Sequence, residues 1–392
     1  MDLPSSQPNS SEPSPLPERF AGLQTIVERE SLLLAPYAMR SRDSVGRKHS
    51  EPQHPYRGPF QRDRDRILHS AAYRRLSGKT QVFTGAMGDY HRTRLTHTQE
   101  VASIARTVSR ALRLNEDLTE TLALFHDIGH PPFGHAGEDA LNECLADDGG
   151  FSHNRHALMI AEELETPYQG FRGLNLSDEV LQGQASRADK TGAAQSLLEV
   201  QVVDAADSVT YAAHDTDDAV ALGILTLDQL TEVLLIRELL ERVRQRLAGL
   251  NDEMLRKALV HELIDWQVSD VLRQSGALLA RAAPRSAQDA RQYDFAIGPS
   301  PRLTQQKEEL GAFLYERVYR HPRVLAVRRE AQQRLHAMFT GYLKRPEHLP
   351  QKFHERAEQV GLRRSIGEYL AGMTDRFCSR EYQRCFSNEP GG

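Results

Sequence analysis

The chain has 392 residues, 26% of them charged, with a formal net charge of −5, and its three cysteines fit neither a disulfide framework nor a zinc site. This balance argues against a chain-wide basic surface for nucleic acid, and no apolar run reaches the roughly 18 residues that a membrane span needs. Residues 1–19 lack the apolar segment of a secretory signal. We therefore expect a cytoplasmic protein that makes no membrane contact.

The first 59 residues divide into two parts. Residues 1–19 consist largely of Ser, Pro, Asn, Glu and Gln, and such a composition buries too little apolar surface to fold, so we expect disorder. Residues 20–59 predict a short helix between Phe20 and Leu34, followed by an extended basic arm with several prolines. We expect this arm to pack over the main domain or against another subunit.

A helix with a crowded basic surface is predicted from Phe60 onward. It is followed by a loop or hairpin at residues 78–89. The basic side chains could form a solvated face, or a positive rim for a polyanionic substrate, because arginine binds phosphate through two parallel hydrogen bonds. The sequence leaves both interpretations open. The arginines are Arg62, Arg64, Arg66, Arg74 and Arg75.

Two helices come next. Apolar periodicity predicts one from Thr96, as its N-cap, to about Leu114, with His97 in the first turn. The second is predicted over residues 116–127, with Asp117 or Thr119 near its start, and it stops at a loop rich in Gly and Pro.

The second helix ends in a concentration of ionisable side chains. The adjacent pair His126-Asp127 is followed by His130, His135 and Glu138 within thirteen positions. A single histidine here would most simply be a hydrogen-bonded core residue, but the group as a whole is hard to explain by packing. Imidazole nitrogen and carboxylate oxygen both bind divalent cations, so the segment predicts part of a metal site.

A long, alanine-rich helix is predicted around residues 196–218. Asp207, Tyr211 and Asp215 are spaced four residues apart and therefore share one face, which Asp204 joins. Carboxylates on such an apolar helix are costly unless they face solvent, a cation or a polar ligand. The flanking positions are too apolar for a surface helix, so we interpret this face as lining a site.

Helical periodicity continues through most of the remaining sequence. It is interrupted by a segment between Ser275 and Leu303 that we expect to be irregular, and strand signals are scarce throughout. The predicted fold is therefore mainly α. We expect a helical core at residues 60–225 and a C-terminal helical region at 226–392 that completes the substrate pocket and makes oligomer contacts.

Two imidazoles and two carboxylates on three helices form a ligand set for Mn, Fe, Co, Ni or Zn that leaves positions open for water and substrate. Such an ion polarises phosphoryl oxygens and activates water. Arg94, with Lys79 or the basic helix, could neutralise phosphate, while His130 and His135 could donate protons. The residues thus predict a metal-dependent phosphohydrolase.

The order His97, His126-Asp127, Asp207 resembles the HD-domain superfamily of metal-dependent phosphohydrolases. Within it, several further segments resemble the deoxyguanosine triphosphate triphosphohydrolase-like family. These segments are residues 74–76, 79–83, 92–97, 126–135, 211–218, 318–322 and 371–376. The resemblance implies an HD-domain core and hydrolysis of a deoxynucleoside triphosphate (dNTP) to deoxynucleoside and inorganic triphosphate by one cut at the α-phosphorus.

The resemblance also implies a role for individual residues. The implied metal ligands are His97, His126, Asp127 and Asp207, and the implied phosphate contacts are Arg94 and His130, the latter also catalytic. His135, with Glu138 behind it, is the implied acid–base residue. Gln81 and Asp215 would read the sugar 3′-hydroxyl, Tyr211 would stack beneath the deoxyribose, and His153 is a further substrate-site residue in some relatives.

The family resemblance carries expectations about ligands and assembly as well. They include Mg²⁺ at the substrate phosphates, a dNTP effector, and a homo-oligomer of four or six chains. Two alternative functions stay open: an HD phosphohydrolase acting on nucleoside monophosphates, cyclic nucleotides or alarmones, and a regulator with a vestigial metal site. The basic helix motivates the second, which includes weak binding of single-stranded nucleic acid.

Overall fold

The computed structural model describes residues 24–81, 92–189, 196–247, 249–294 and 296–386. The expected disorder of residues 1–19, the start of the first predicted helix and most of the loop or hairpin at 78–89 lie outside these ranges. The described residues form 18 α-helices and two isolated antiparallel bridges, Arg47–Ser177 and Thr80–Thr93. In these ranges the fold is mainly α, as the periodicity predicts.

Three helices form the centre of the HD core: α4 (Arg94–Ala111), α5 (Glu116–Phe125) and α9 (Leu198–Ala221). Each of the three contacts the other two, and α2 (Pro59–His69) and α8 (Asp178–Asp189) pack on α5. Small buried residues such as Ala102, Ala105 and Ala206 allow the helix axes to approach closely. This packing brings the start of α4, the end of α5 and the middle of α9 together.

The N-cap of α4 differs from the predicted one. The side chain of Thr93, not Thr96, accepts the backbone N–H of Thr96 and begins α4. α5 begins at Glu116, close to Asp117 and Thr119, and Asn115 caps it by accepting the N–H of Leu118. In both cases the side chain just before the first helical residue can reach an unpaired N–H, and a residue inside the helix cannot.

Two further clusters join the helices after α9 to earlier elements of the chain. The end of α9 packs with α11 (Leu234–Arg246), α12 (Asp252–Ala282) and α14 (Pro301–Leu314). α6 (Gly134–Cys144) packs against α15 (Pro322–Lys344) and α17 (Leu362–Ala371), and α18 (Asp375–Phe386) packs against α15. The remaining helices are α1 (Ile26–Leu33), α3 (Ala71–Arg75), α7 (His153–Met159), α10 (Leu227–Leu230), α13 (Ala287–Ala290) and α16 (Gln351–Val360).

Helix α12 is longer than the sequence predicts. It continues to Ala282, through the first part of the segment expected to be irregular, because Ser275 and Leu279 extend its buried face. In the described part of the chain no helix is both long and apolar enough to cross a lipid bilayer. Cys144 and Cys378 are free thiols, and burial raises the pKa of Cys378 to about 12.

Candidate metal and active site

Three helices bring four potential metal ligands together. His97 lies in the first turn of α4, His126 and Asp127 follow α5, and Asp207 lies on α9. His97 Nε2 is 3.0 Å from Asp207 Oδ1, and His126 Nε2 is 3.8 Å from the same oxygen. The ligand atoms of His97, His126 and Asp127 lie within 4.8 Å of one another. The structure therefore assembles all four side chains in one place.

The chemistry of His126 fits a divalent ion. Its Nδ1 lies 2.5 Å from the carbonyl oxygen of Ala123, which can only accept, so Nδ1 carries the proton. Its Nε2 is then a free lone pair, and it is buried without a hydrogen-bond partner among the described residues. The side chain of Asp207 is 38% exposed, which leaves one side of the ligand set open. These residues could hold a metal ion with room for a ligand.

A relay of two further residues fixes the protonation of His97. Its Nδ1 is 3.4 Å from Nδ1 of His214, whose Nε2 is hydrogen-bonded to the carboxylate of Glu100. Since Glu100 accepts, a neutral His214 donates from Nε2 and accepts from Nδ1 of His97. His97 then presents the lone pair of Nε2 toward Asp207 Oδ1, 3.0 Å away, where one metal ion could bind both atoms. The sequence analysis missed this relay; its only signal was that Glu100 lies one helical turn after His97.

Asp127 is held in its ionised form by its neighbours. Arg94 Nη1 donates to Asp127 Oδ2 at 2.8 Å, and His130 Nδ1 lies 3.0 Å from Oδ1. Burial acts to raise the pKa of Asp127, but His130, Arg94 and His126 together hold it well below its ordinary range. Arg94 is 1% exposed and engaged with a metal-ligand carboxylate, so its contact with phosphate stays a prediction.

A second group of ionisable residues adjoins Asp127. On α6, Glu138 accepts from Nδ1 of His153 at 2.8 Å and lies 3.3 Å from Nδ1 of His135. The ring of His130 stacks on that of His153, with centroids 3.7 Å apart. Burial favours a raised pKa for Glu138, but the hydrogen bonds with His135 and His153 hold it far below its ordinary range. Glu138 thus stays ionised, and His135, 58% exposed, can meet a substrate.

The residues expected to read the sugar include two unpaired buried oxygens. Gln81 Oε1 and Asp215 Oδ1 have no hydrogen-bond partner among the described residues. The other oxygen of Asp215 accepts from the hydroxyl of Tyr319, which also contacts the hydroxyl of Tyr211. Unpaired buried oxygens point to a polar ligand that forms hydrogen bonds with them. Tyr319 is a further candidate to which the sequence analysis assigned no role.

Asp215 predicts a pH dependence of stability. Burial and the carboxylate of Asp218 raise its pKa from 3.8 to about 8. A raised folded-state pKa gives a contribution to stability that is complete below pH ~4 and is lost as the pH rises to ~8. We expect Asp215→Asn, which stays neutral, to show a smaller fall in unfolding free energy between pH 5 and pH 8 than the wild type. Urea unfolding measures this, with exposed Asp265→Asn as the control, and equal slopes would contradict it.

Gly129 is the point where the loop after α5 meets α7. A Cβ at this position would lie 2.0 Å from the carbonyl oxygen of His153 and 2.5 Å from the amide nitrogen of Ala157. Both are backbone atoms, so α7 and its His153 would have to move. We expect Gly129→Ala to lower the free energy of unfolding by about 3 kcal/mol. Thermal unfolding tests this against Gly276→Ala, where no atom lies within 4 Å; an equal loss in both variants would contradict the steric argument.

The other cations considered for phosphate binding lie in different settings. Lys79 is buried and donates to the carbonyl oxygens of His130 and Ala371. In the basic helix, Arg62 and Arg66 pair with Glu51. A further cation, Lys307 on α14, lies close to Asp207: its ammonium contacts Ser208 Oγ at 2.7 Å, and burial lowers its pKa to about 8.

Comparisons with known proteins agree with this geometry. Residues 94–212 match the HD domain family, and residues 297–384 match the phosphohydrolase-associated domain family. The first match begins with α4 and ends inside α9, so it contains all four potential metal ligands. The second covers α14 to most of α18.

Three bacterial relatives are similar over nearly their whole length, and each is named deoxyguanosinetriphosphate triphosphohydrolase-like protein. The Nitrosomonas europaea protein is 40% identical over 90% of this chain and 98% of its own. The Geobacter metallireducens protein is 41% identical over 90% of this chain and 95% of its own length. The Bradyrhizobium diazoefficiens protein is 42% identical over 91% of this chain and 97% of its own length. The chain therefore belongs to the deoxyguanosinetriphosphate triphosphohydrolase-like family of HD-domain phosphohydrolases.

Proposed function

We propose that this protein hydrolyses dNTPs to deoxynucleoside and inorganic triphosphate, in a single cut at the α-phosphorus. The observation that carries the proposal is the position of the two unpaired oxygens, Gln81 Oε1 and Asp215 Oδ1, relative to the ligand set. Asp215 lies two turns from Asp207 on α9, and the carbonyl of Gln81 is 3.4 Å from Nη2 of Arg94, which binds Asp127. A sugar hydroxyl of a nucleotide whose phosphate lies at the ligand set would donate to Gln81 Oε1 and accept from the protonated carboxyl of Asp215.

The proposed reaction divides the work among the residues described above. His97, His126, Asp127 and Asp207 would hold a divalent ion, which supplies positive charge at the phosphate when bound. Water attacks the α-phosphorus, and the bond from phosphorus to O5′ breaks. His135 transfers a proton to the departing O5′, and Glu138 orients its imidazole.

In the proposal, Gln81, Asp215 and Tyr211 recognise the sugar of the substrate. The 3′-hydroxyl donates to Oε1 of Gln81 and accepts from Asp215, whose raised pKa of about 8 keeps its carboxyl protonated at neutral pH. The ring of Tyr211 lies beneath the deoxyribose and excludes a 2′-hydroxyl. His130 and His153 face the phosphates, and Lys307 is an additional candidate there because its ammonium lies on the Asp207 side of α9. Arg94 acts chiefly through Asp127.

Identification of the phosphate product tests the proposal. The purified protein is incubated with Mn²⁺ and each dNTP, singly and as a mixture, and the products are resolved by anion exchange. We expect triphosphate and deoxynucleoside in equal amounts. Release of orthophosphate or pyrophosphate, or turnover only of a nucleoside monophosphate, cyclic nucleotide or alarmone, would assign the chain to another HD activity.

The same proposal includes a homo-oligomer of four or six chains and a dNTP effector. Activity that appears only in the dNTP mixture would support the effector, and native mass spectrometry measures the number of chains. Nucleotide binding without turnover under any metal would favour the regulator, whose single-strand binding a gel-shift assay detects. The ion pairs that Arg62 and Arg66 make with Glu51 reduce the free positive charge available for that alternative.

A further inference from the structure

Two segments of the candidate site converge on one carboxylate in the C-terminal region. Asp375, in the first turn of α18, accepts through Oδ2 from the backbone N–H of Thr80 at 3.0 Å and from its hydroxyl at 2.6 Å. Its Oδ1 accepts from the backbone N–H of Phe133 at 2.9 Å. Both oxygens of a single side chain are thus bonded to different parts of the HD core.

Each of these partners stands next to a residue of the proposed reaction. Thr80 precedes Gln81, and Phe133 lies in the loop between His130 and His135. Phe133 has a φ of +63°, in the left-handed region that is unfavourable for a non-glycine residue. The hydrogen bond from its N–H to Asp375, and its packing in the cluster that contains α6, α15, α17 and α18, hold Phe133 in this conformation.

The two segments also touch each other at this point. A Cβ on Gly134 would lie 3.0 Å from the carbonyl oxygen of Gln81, so the backbones of the catalytic loop and the substrate segment are in close contact. A shift of either by a fraction of an ångström changes the position of Gln81 relative to His135. To keep this contact, both backbone segments must be held in place.

The residues just before Thr80 are also attached to the C-terminal region. The ammonium of Lys79 donates to the carbonyl oxygens of His130 and of Ala371, at the end of α17. Gly78 packs directly on Thr374, whose Cγ2 would be 2.9 Å from a Cβ at that position. The segment from Gly78 to Gln81 is therefore fastened to the junction of α17 and α18 along its length.

We infer that Asp375 is a positioning residue for the proposed reaction: its carboxylate fixes the sugar-reading segment at Gln81 against the catalytic loop that carries His130 and His135. This assignment rests on the proposed function. It makes the phosphohydrolase-associated region a part of the active-site architecture, because α18 supplies the group that joins the two segments. Asparagine cannot replace Asp375, since its amide NH₂ would face an N–H donor and the charge-assisted bonds would be lost.

The test compares Asp375→Asn with Asp252→Asn, the same change at an exposed residue in the first turn of α12. We measure kcat/KM for dGTP and for 2′,3′-dideoxyguanosine triphosphate, which lacks the 3′-hydroxyl, together with bound metal. Misplacement of reacting groups by about 1 Å costs roughly a hundredfold in rate, so we expect a tenfold to hundredfold loss for dGTP in Asp375→Asn. The preference for dGTP over the dideoxy analogue should fall as it does in Gln81→Ala, while metal content stays that of the wild type.

Hydrogen–deuterium exchange supplies a measurement that needs no substrate. Asp375→Asn should raise exchange in the peptides covering 76–81 and 129–137 together, and Asp252→Asn in neither. Asp375 is not a positioning residue if the variant keeps the wild-type preference for dGTP over the analogue, or if exchange rises only within α18. A wild-type protein that binds metal but cleaves no dNTP overturns the proposed function instead, and the exchange result alone then decides whether Asp375 joins the two segments.

Discussion

Replacement of His126 by alanine is expected to remove the bound divalent ion and to lower dNTP hydrolysis at least about a thousandfold, since such an ion supplies several kcal/mol of transition-state stabilisation. The reason lies in the unpaired Nε2, which is the unprotonated nitrogen that His126 offers to a metal ion, because Nδ1 donates its proton to the carbonyl oxygen of Ala123. Without it, the carboxylates of Asp127 and Asp207 lose the imidazole between them. Metal content by mass spectrometry and product formation by anion exchange measure both effects.

A second variant separates loss of metal from loss of fold. His126 is buried, so His126→Ala leaves a cavity, whereas the side chain of Asp207 is 38% exposed. Asp207→Asn should lose the ion and the activity with an unchanged circular dichroism spectrum. His261→Ala, which replaces an exposed side chain on α12, should keep the ion and the activity. Full metal content and full activity in His126→Ala would show that the ligand set is assigned incorrectly.

The second large effect is expected at His135, the proposed proton donor. His135→Asn should lower kcat by roughly 10²- to 10⁴-fold, the usual contribution of a general acid, while metal content and dNTP affinity stay near wild-type values. Because 58% of the His135 side chain is exposed, its replacement should leave the fold intact. Single-turnover rates and equilibrium binding of a dNTP measure the two quantities separately.

Neighbouring variants define how His135 is supported. Glu138→Gln should reduce kcat about 10- to 100-fold, as expected for a residue that orients a catalytic group, because the ionised carboxylate that binds His135 and His153 is lost. His69→Asn, at an exposed position on α2, serves as the control for both. A kcat for His135→Asn within threefold of the wild type would assign the proton transfer to another group.

The helices that carry the candidate site could be predicted from local sequence patterns. The pair His126-Asp127 comes at the end of an apolar helix, and the spacing of Asp207, Tyr211 and Asp215 places them on one face, because both features depend only on helical periodicity. The structure brings His126, Asp127 and Asp207 together with His97. The roles that the family resemblance implies for them stay predictions until activity is measured.

Contacts between distant segments could not be predicted in this way. Tyr319 meets Asp215 across 104 residues, and Asp375 meets Thr80 across 295. Periodicity indicates which face of a helix is buried, but not which residues from elsewhere in the chain pack against that face. Neither pairing therefore leaves a local signal in the sequence. The N-cap of α4 is predicted at Thr96 and lies at Thr93 for a smaller reason: several Thr residues stand near the start of this helix, and the choice among them depends on backbone geometry.

Helix α9 has a consequence for the size of molecule that the site can accept. Asp207 and Asp215 are eight residues apart on one uninterrupted helix, a separation of about 12 Å along its axis. The helix therefore fixes the distance between Asp207, a proposed metal ligand, and Asp215, proposed to bind the sugar. A nucleotide whose cleavable phosphorus is attached directly to its sugar can reach both ends at once. One with an extra nucleotide unit between its cleavable phosphorus and its free 3′-hydroxyl would be too long, so the protein should release no triphosphate from 5′-triphosphorylated DNA oligomers.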